Sequence, residues 1–219
     1  MDSKKGNDFD LSPELLDEIQ ANIEEIIKSF PIAECNKIDV IKKINFMYSH
    51  TKYMSVTDPL TGLYNRRHFE STIEREFLRA QRYKSDLSIA ILDVDLFKKI
   101  NDTYGHLCGD YVLREIAYLT MQNFRKTDMV FRYGGEEFII ILTETSIEKA
   151  LIPIERLRKS IEEYPFYYDG NDIKITVSIG IEGFSENILT PDEMIDNADK
   201  ALYLAKAQGR NQIITSSSL

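Results

Sequence analysis

Apolar positions recur at helical spacing in the first part of the chain. Ser12-Pro13 is typical of a helix start, with serine as N-cap and proline at the first helical position. The apolar residues that follow share one helix face as far as Pro31: Leu16, Ile19, Ile23, Ile26, Ile27 and Phe30. A second stripe runs from Ile38 to Tyr48. We therefore expect residues 1–54 to form an N-terminal helical region.

Two amphipathic helices bury too little surface to fold well alone, so their apolar faces need a partner. That partner is the rest of the chain, the other helix, or a second copy of the chain. We favour the second copy, which predicts a homodimer formed through the N-terminal helices.

Strands and helices alternate through residues 55–219, which we predict to be a second domain. Apolar runs predict strands near Leu87, in a hairpin over residues 128–142, over residues 172–182 and over residues 212–215. Helical patterns predict helices over residues 65–83, 110–123, 145–164 and 190–208, with a short helical turn after Asp95. Thr145 to Glu148 and Thr190 to Glu193 resemble capping boxes. The order strand-helix-strand-strand-helix-strand predicts an α+β fold, a ferredoxin-like central antiparallel sheet flanked by helices.

The charge balance narrows the class of partner. The 219 residues include 27 basic and 36 acidic side chains, giving a net charge of -9. This balance argues against nucleic acid or an anionic membrane, because both attract basic patches, but it allows a nucleotide bound through a metal ion. Cys35 and Cys108 lack metal-ligand spacing, and no apolar run is long enough for membrane insertion. We expect a cytoplasmic protein.

Two glycines and two acids lie between two apolar runs at Gly134-Gly135-Glu136-Glu137. The glycine pair predicts a tight hairpin turn, because both residues tolerate positive φ, and it would let an anionic ligand approach the backbone. The acids would then hold a divalent cation against a phosphate. The alternative is a solvated hairpin tip whose acids have no function.

A second acidic group follows the apolar run at Ile89 to Leu92. Asp93 and Asp95 lie two positions apart, so they share a face if the strand continues, and Lys98 adds a positive charge close by. Asn101, Asp102, His106 and Asp110 then follow around glycines. Helix capping and turn chemistry also favour these residue types, so that interpretation stays open.

These motifs together resemble the GGDEF domain of diguanylate cyclases. The resemblance rests on Asp58 to Arg67, on Asp93 to Asp110, on Gly134 to Phe138 as the GGEEF form of the signature, and on closing motifs around Ser178-Ile179-Gly180 and from Ala198 to Asn211. It covers roughly residues 58–214. Several motifs in the right order are far more specific than one short pattern. The resemblance implies a palm-type core like that of nucleotide cyclases and polymerases.

The implied reaction joins two GTP molecules into cyclic di-GMP and releases two pyrophosphates. By motif position, Asp93, Glu136 and the carbonyl of Val94 would bind Mg²⁺, with Mn²⁺ as an alternative ion. Glu136 would also accept the proton of the attacking hydroxyl, with Glu137 as the second candidate. Lys98 would contact the phosphates.

The resemblance also implies a substrate site. The N–H groups of Leu96 and Phe97 would bind phosphate, as would Lys206 and Arg210, which we expect four apart on one helix face. Asn101 and Asp110 would bind guanine, and Asp110 favours GTP over ATP. His106 would line the same pocket or pack the turn. Without the other motifs, Lys206 and Arg210 would be taken for a solvated basic helix end.

An Arg-x-x-Asp motif at Arg125 and Asp128 resembles the product-inhibition site of the family. Arg156 matches its supporting arginine, and Arg79 serves as a neighbouring contact. A surface salt bridge between Arg125 and Asp128 is the alternative. If catalysis is absent, the same motif would make the chain a catalytically silent cyclic di-GMP receptor that acts through protein contacts.

Overall fold

The computed structural model describes residue 42 and residues 56–218. The predicted N-terminal helices therefore lie, except for residue 42, outside the described residues. Within that described part, no helix is long and apolar enough to cross a membrane. The strands are β1 (Tyr64–Asn65), β2 (Leu87–Val94), β3 (Met129–Gly134), β4 (Glu137–Thr143), β5 (Phe166–Tyr168), β6 (Asn171–Ile173), β7 (Val177–Gly183) and β8 (Ile213–Thr215). The helices are α1 (Arg66–Tyr83), α2 (Phe97–Tyr104), α3 (His106–Asn123), α4 (Ile147–Glu163) and α5 (Pro191–Ala207), followed by a 3₁₀ turn at Ser216–Ser218.

Six of the strands form one sheet in the order β1-β3-β4-β2-β7-β8. The pairs β3–β4, β4–β2 and β2–β7 are antiparallel, whereas the short edge strands β1 and β8 pair in parallel with β3 and β7. The elements β2-α3-β3-β4-α4-β7 follow the predicted order. The α+β fold with a palm-type central antiparallel sheet is thereby confirmed, with parallel strands added at both edges.

The sheet lies between two apolar layers. Every residue of β2 is buried, because Ala90, Leu92 and Val94 face one cluster while Ile89 and Ile91 face the other. The first cluster includes Val112 and Ile116 of α3 with Ile154 and Leu157 of α4. The second includes Phe69 and Phe77 of α1 with Met194 and Leu202 of α5. A strand covered on both faces is mostly apolar, which explains why residues 89–92 of this strand do not alternate.

Local side-chain chemistry sets several helix ends. The Asn65 side chain accepts the N–H of His68 at the start of α1. At the start of α5, Thr190 Oγ1 accepts the N–H of Glu193, whose carboxylate accepts the N–H of Leu189. The capping box predicted over Thr145 to Glu148 is wrong, because the Thr145 hydroxyl donates to the Thr143 carbonyl and the N-cap residue is Ser146. The Ser146 hydroxyl makes no bond to the helix backbone and donates instead to Glu148 Oε2 at 2.7 Å.

Residues 172–182 do not form the single strand that their alternation predicts. The hairpin β5–β6 turns at Asp169 and Gly170, both with positive φ, and residues 174–176 separate it from β7. The interruption has a simple cause, since β2 ends at Val94 and pairs there with Val177, so earlier residues have no strand of the main sheet to join. Helix α3 also begins four positions earlier than predicted, at His106 instead of Asp110, directly after Gly105 at φ 84.

Strand β7 and helix α5 approach each other closely at Gly180. A Cβ placed on Gly180 would lie 2.0 Å from the Ala198 carbonyl oxygen and 2.3 Å from the Leu202 nitrogen. Both are backbone atoms that cannot move aside without displacing the helix. Glycine is therefore required here by packing.

We expect Gly180→Ala to lower the free energy of unfolding by about 2–3 kcal/mol, because overpacking against backbone forces the helix away from the sheet. Urea unfolding of the two proteins measures this. The matched control is Gly183→Ala on the same strand, where the nearest atom is the side-chain Cβ of Ile147 at 3.1 Å. That control is expected to cost under about 1 kcal/mol. Equal costs for the two variants would contradict the packing argument.

Candidate active site

The carboxylates of the two predicted acidic motifs meet at one end of the sheet. Asp93, near the end of β2, pairs directly with Glu137 on β4. The N–H of Val94 donates to the carbonyl of Glu136 at 3.3 Å, which ties the hairpin turn to the strand end. Lys206 on α5 completes the group, with its Nζ 2.8 Å from Asp93 Oδ2. The side chain of Asp93 is only 9% exposed, so this ion pair is largely buried on the carboxylate side.

The crowding of these acids shifts their proton affinities. Burial raises the pKa of Asp93, although the hydrogen bond and charge of Lys206 oppose the shift. Burial and then the charge of Asp93 raise the pKa of Glu136 and also that of Glu137, and Lys206 again opposes. Negative charge is therefore concentrated here beyond what Lys206 alone offsets. A cation with hard oxygen ligands fits such a set.

The donor set is small. No group of three or more His, Cys, Asp and Glu side chains suited to hold a metal occurs within residues 42 and 56–218. The set expected from the sequence has two carboxylates, Asp93 and Glu136, with the Val94 carbonyl as the third oxygen. Magnesium keeps several water ligands and binds through one or two carboxylates, so this composition suits it.

The turn between β3 and β4 leaves open space beside the acids. Gly135 has φ 41, and a Cβ there would meet no heavy atom within 4 Å. A Cβ on Gly134 would meet only Glu137 Oε2, at 3.9 Å. Positive φ is used at Gly135 alone, because Gly134 is still part of β3 and pairs with Glu137. The turn thus uses the freedom of one glycine of the pair, and the predicted hairpin is confirmed.

Arg132 holds this turn in place. Its Nε and Nη2 donate to the Gly135 carbonyl at 3.1 and 2.9 Å, and its Nη1 lies 3.1 Å from each oxygen of Asp58. Asp58 also accepts the N–H and hydroxyl of Thr61. Burial acts to raise the pKa of Asp58, but the hydrogen bonds from Thr61 and Arg132 outweigh it and lower that pKa. This clamp was missed by sequence reasoning, although both of its ends lie within recognised motifs.

The segment after β2 supplies the predicted substrate residues. Leu96 has φ 56 and precedes α2, on which Lys98 is exposed. Asn101 packs against Gly109, where an added Cβ would lie 2.0 Å from Asn101 Oδ1. Asn101 and Asp110 are half-buried on either side of that contact, and His106 is exposed at the start of α3. Phe97 is buried in the core, which leaves its backbone as the part available to a ligand.

Lys206 and Arg210 do not share a helix face, contrary to the prediction. Helix α5 ends at Ala207, Gly209 follows with φ 120, and Arg210 has φ 65. The glycine lets the chain turn sharply, so Arg210 lies beyond the helix. Its charge nevertheless acts on Asp93, as that of Lys206 does. Both cations therefore act on the carboxylate of Asp93, Lys206 from helix α5 and Arg210 from the turn that follows it.

The Arg-x-x-Asp motif forms a compact turn after α3. Asp128 Oδ2 accepts the backbone N–H of Arg125 at 3.1 Å. Within residues 56–218, no ion pair joins the side chains of these two residues, so the alternative of a surface salt bridge is not formed. Arg156 reaches the same turn from α4, with its guanidinium bound to the side chain and carbonyl of Asn123. Arg79 lies on α1 and pairs with Glu76 and Glu144.

We expect Glu136→Gln to stabilise the cation-free protein near neutral pH. A carboxyl whose pKa is raised by folding stabilises the fold when protonated, and that contribution is lost as pH rises through the raised pKa. The amide avoids this loss. The gain is on the order of half a kcal/mol, because solvent reaches the group and screens its charge.

Urea unfolding at several pH values, with chelator present, measures this effect. The gain should vanish in acid, below the ordinary pKa of the carboxyl. Glu148→Gln is the control with the opposite sign, because the hydrogen bond from Ser146 lowers the pKa of Glu148. Its loss of stability should appear at neutral pH and fade as pH falls. A destabilised Glu136→Gln protein at neutral pH would count against the crowding argument.

Comparisons with known proteins identify the family of this chain. The family described as diguanylate cyclase, GGDEF domain, matches residues 55–212. Diguanylate cyclase A of Treponema denticola is 42% identical over 167 residues, which are 74% of this chain and 45% of that protein. The response regulator PleD of Caulobacter vibrioides is 40% identical over 75% of this chain and 37% of its own length. The chain thus spans less than half the length of these relatives.

Solved structures show the same fold. The coiled coil and GGDEF domain of DgcB from Caulobacter crescentus, in complex with c-di-GMP, superposes with a TM-score of 0.77 at 26% identity, covering 83% of this chain and 96% of that one. The active GGEEF domain of a diguanylate cyclase from Vibrio cholerae gives 0.66 at 34% identity, covering 69% and 96%. On the extent of the family match and the identity to its members, this chain belongs to the GGDEF-domain diguanylate cyclase family.

Proposed function

We propose that this chain is a diguanylate cyclase that condenses two GTP molecules into cyclic di-GMP and two pyrophosphates. The observation that carries the proposal is the cluster of Asp93, Glu136 and Glu137 beside an open glycine turn, with Lys206 facing it. Such a cluster can hold a divalent cation, and phosphoryl chemistry needs that positive charge together with a close approach of the phosphates to the backbone.

The metal set proposed here is Asp93, Glu136 and the carbonyl of Val94. Mg²⁺ bound there, or Mn²⁺ in its place, would neutralise charge on the phosphates during attack. The carboxylates are held ready for it by the β2–β4 pairing and by the Arg132 clamp on the turn. Lys206, whose ammonium group pairs with Asp93 and offsets its charge, would also contact the phosphates.

Glu136 is the proposed proton acceptor for the attacking 3′-hydroxyl. Burial and the neighbouring Asp93 raise its pKa, and a general base works best when its pKa approaches the working pH. Glu137 shares this environment and is the second candidate. Their positions differ, because Glu136 lies in the turn while Glu137 is anchored in β4.

The proposed substrate contacts surround the carboxylates. Asn101 and Asp110 would bind the guanine edge, and an acid that accepts from the base disfavours ATP, which lacks those donors. The N–H groups of Leu96 and Phe97 would bind phosphate, together with Lys98, Lys206 and Arg210. His106 would line the base pocket. GTP is a nucleotide of the cytoplasm, where we therefore propose that the protein acts.

Each site holds one GTP, so two chains must face each other for the reaction. We propose that residues 1–54, as a domain separate from residues 55–219, bring two copies together. The apolar stripes from Leu16 to Tyr48 support this assignment, because they need a partner surface.

We further propose product inhibition at Arg125 and Asp128. The turn holds Asp128 through the Arg125 backbone, which leaves the Arg125 guanidinium to bind a guanine or phosphate edge. Arg156 binds Asn123, which lies close before this turn in the chain, and is the proposed supporting arginine. Arg79, which pairs with Glu144, is the proposed neighbouring contact to the ligand. Cyclic di-GMP bound to DgcB of Caulobacter crescentus gives the ligand class a precedent in a related fold.

Magnesium-dependent turnover of GTP tests the cyclase proposal. We expect cyclic di-GMP from the wild-type chain, separated from GTP by chromatography, and a loss of about a thousandfold or more in Glu136→Gln, which lacks both the charge and the base. Glu137→Gln is the matched variant and should lose less. Turnover per chain should rise with protein concentration if two copies must meet. Absence of product from wild-type protein freed of bound dinucleotide would refute the cyclase.

Inhibition by added cyclic di-GMP tests the second site. We expect Arg125→Ala to raise the concentration needed for half inhibition by about tenfold or more, because a charged hydrogen-bond donor is lost. Lys126→Ala is the control, since this neighbouring cation is equally exposed but lies outside the motif. Unchanged inhibition in Arg125→Ala would sink the assignment.

A further inference from the structure

Asp95 is a buried acid that the proposed mechanism does not use. It follows β2 directly and is 7% exposed. Thr176 Oγ1 donates to its Oδ2 at 2.7 Å, and Ser178 Oγ donates to its Oδ1 at 2.7 Å. The backbone N–H of Asn211 also donates to Oδ2, at 3.0 Å. Both oxygens are therefore engaged by neutral hydroxyl and amide donors, in contrast to Asp93, whose Oδ2 pairs with the charged Lys206.

The backbone N–H of Asn211, which donates to Asp95, belongs to a stretch of the chain with an unusual backbone conformation. Arg210 and Asn211 have φ 65 and φ 48, a range that residues other than glycine adopt infrequently, arginine less readily than asparagine. Two successive residues of this kind persist only where surrounding contacts hold them. The strained backbone includes Arg210 itself, whose side chain is a proposed phosphate ligand.

Contacts from two further directions hold the same turn. The N–H of Arg210 donates to the Ala205 carbonyl at 3.0 Å. The Asn211 side chain accepts from Arg158 Nη1 at 2.6 Å and donates to Glu162 Oε1 at 2.7 Å. Arg158 is itself 11% exposed and pairs with Glu155 and Glu162 on α4. The turn is thus fixed between the end of β2, the end of α5 and one side of α4.

We propose that Asp95 is a positioning residue that holds the turn of residues 209–211, so that Arg210 faces the terminal phosphates of the substrate. The role of Arg210 in this statement rests on the function proposed above. Asp95 acts through the Asn211 amide and does not ligate the metal. The strained turn needs this anchor, because the alternative is relaxation of Arg210 to an ordinary backbone conformation that turns its guanidinium elsewhere.

Affinity for an unreactive substrate tests the phosphate role in the full chain with Mg²⁺. The probe is 3′-deoxy-GTP, which lacks the attacking hydroxyl and so binds without reacting, and GMP serves as the comparison without terminal phosphates. We expect Asp95→Ala to weaken 3′-deoxy-GTP binding by about tenfold to hundredfold, the value of one charged hydrogen-bond donor, and to leave GMP binding unchanged. Arg210→Ala should do the same.

A double-mutant cycle separates positioning from an independent contact. If Asp95 acts only through Arg210, the double variant should bind 3′-deoxy-GTP no more weakly than Arg210→Ala alone. Additive losses, or equal losses for GMP, would overturn the proposal. Asp95→Asn should retain nearly full affinity, since its amide oxygen can still accept from Asn211 and its amide nitrogen can donate to Ser178. An Asp95→Asn protein that needs much more Mg²⁺ would instead indicate a metal ligand.

Thr176→Val is the matched control. It removes one donor from the same carboxylate oxygen but keeps the bond from Asn211, so we expect unchanged affinity. If Asp95→Ala does not fold, Asp95→Ser provides the second variant, because its hydroxyl keeps a polar group in the buried site but is too short to accept the Asn211 N–H. Unchanged affinity for 3′-deoxy-GTP in that variant would overturn the proposal.

Hydrogen exchange gives a readout that does not depend on the proposed function. The Asn211 amide should exchange about tenfold faster or more in Asp95→Ala than in wild type or Thr176→Val, at equal global stability. Unchanged exchange would show that Asp95 does not hold the turn. Failure of the wild-type chain to bind 3′-deoxy-GTP would refute the cyclase proposal and the phosphate role, while the exchange result would still decide whether Asp95 anchors the backbone.

Discussion

The pairing of β2 with β4 on one side and β7 on the other is the constraint on which the site depends. Asp93 lies opposite Glu137 in one pair and opposite Ser178 in the other. A slip of one residue in either pairing would exchange the two faces of β2. Such a slip is strongly opposed, because Ile89 and Ile91 fill one core while Ala90 and Leu92 fill the other. The packing of apolar side chains therefore determines where the carboxylates lie.

This arrangement concentrates charge at a cost to the fold. Burial raises the pKa of Asp93, Glu136 and Glu137, and each acid acts against a neighbour. Lys206 offsets part of that cost, and the hydrogen bonds of Arg132 keep the turn from opening under the repulsion. Functional sites that gather like charges commonly lower the stability of the fold in this way. Binding of a ligand of opposite charge then raises the free energy of unfolding again.

Local signals in the sequence predict much of this structure. The hairpin at Gly134-Gly135, the helix start at Thr190 and the order of strands and helices are all present, because each depends on residues a few positions apart. Single backbone conformations are less predictable. Residues 174–176 divide the segment predicted as one strand, and Gly209 with its positive φ places Arg210 beyond the end of the helix.

The contacts that organise the site were the least accessible to prediction. Arg132 meets Asp58 across 74 positions, and Asn211 meets Asp95 across 116. The residues around each partner do not indicate which distant residue it contacts. A single sequence therefore shows only that suitable residue types are present. Asp95 illustrates the difficulty. Its spacing from Asp93 predicts that the two acids share a face, whereas its three hydrogen-bond donors suit the positioning role proposed above.

The edges of the sheet have a consequence for how copies of the chain associate. Strand β1 has two residues and β8 has three, with one isolated bridge from Thr57 beyond β1. Edges this short expose few unpaired N–H and C=O groups, so a neighbouring sheet has little to add onto. Aggregation through open strands is thereby discouraged, which matters for a protein whose proposed reaction brings two copies together. Under that proposal, contact between copies would be made by side-chain surfaces and not by pairing of strands.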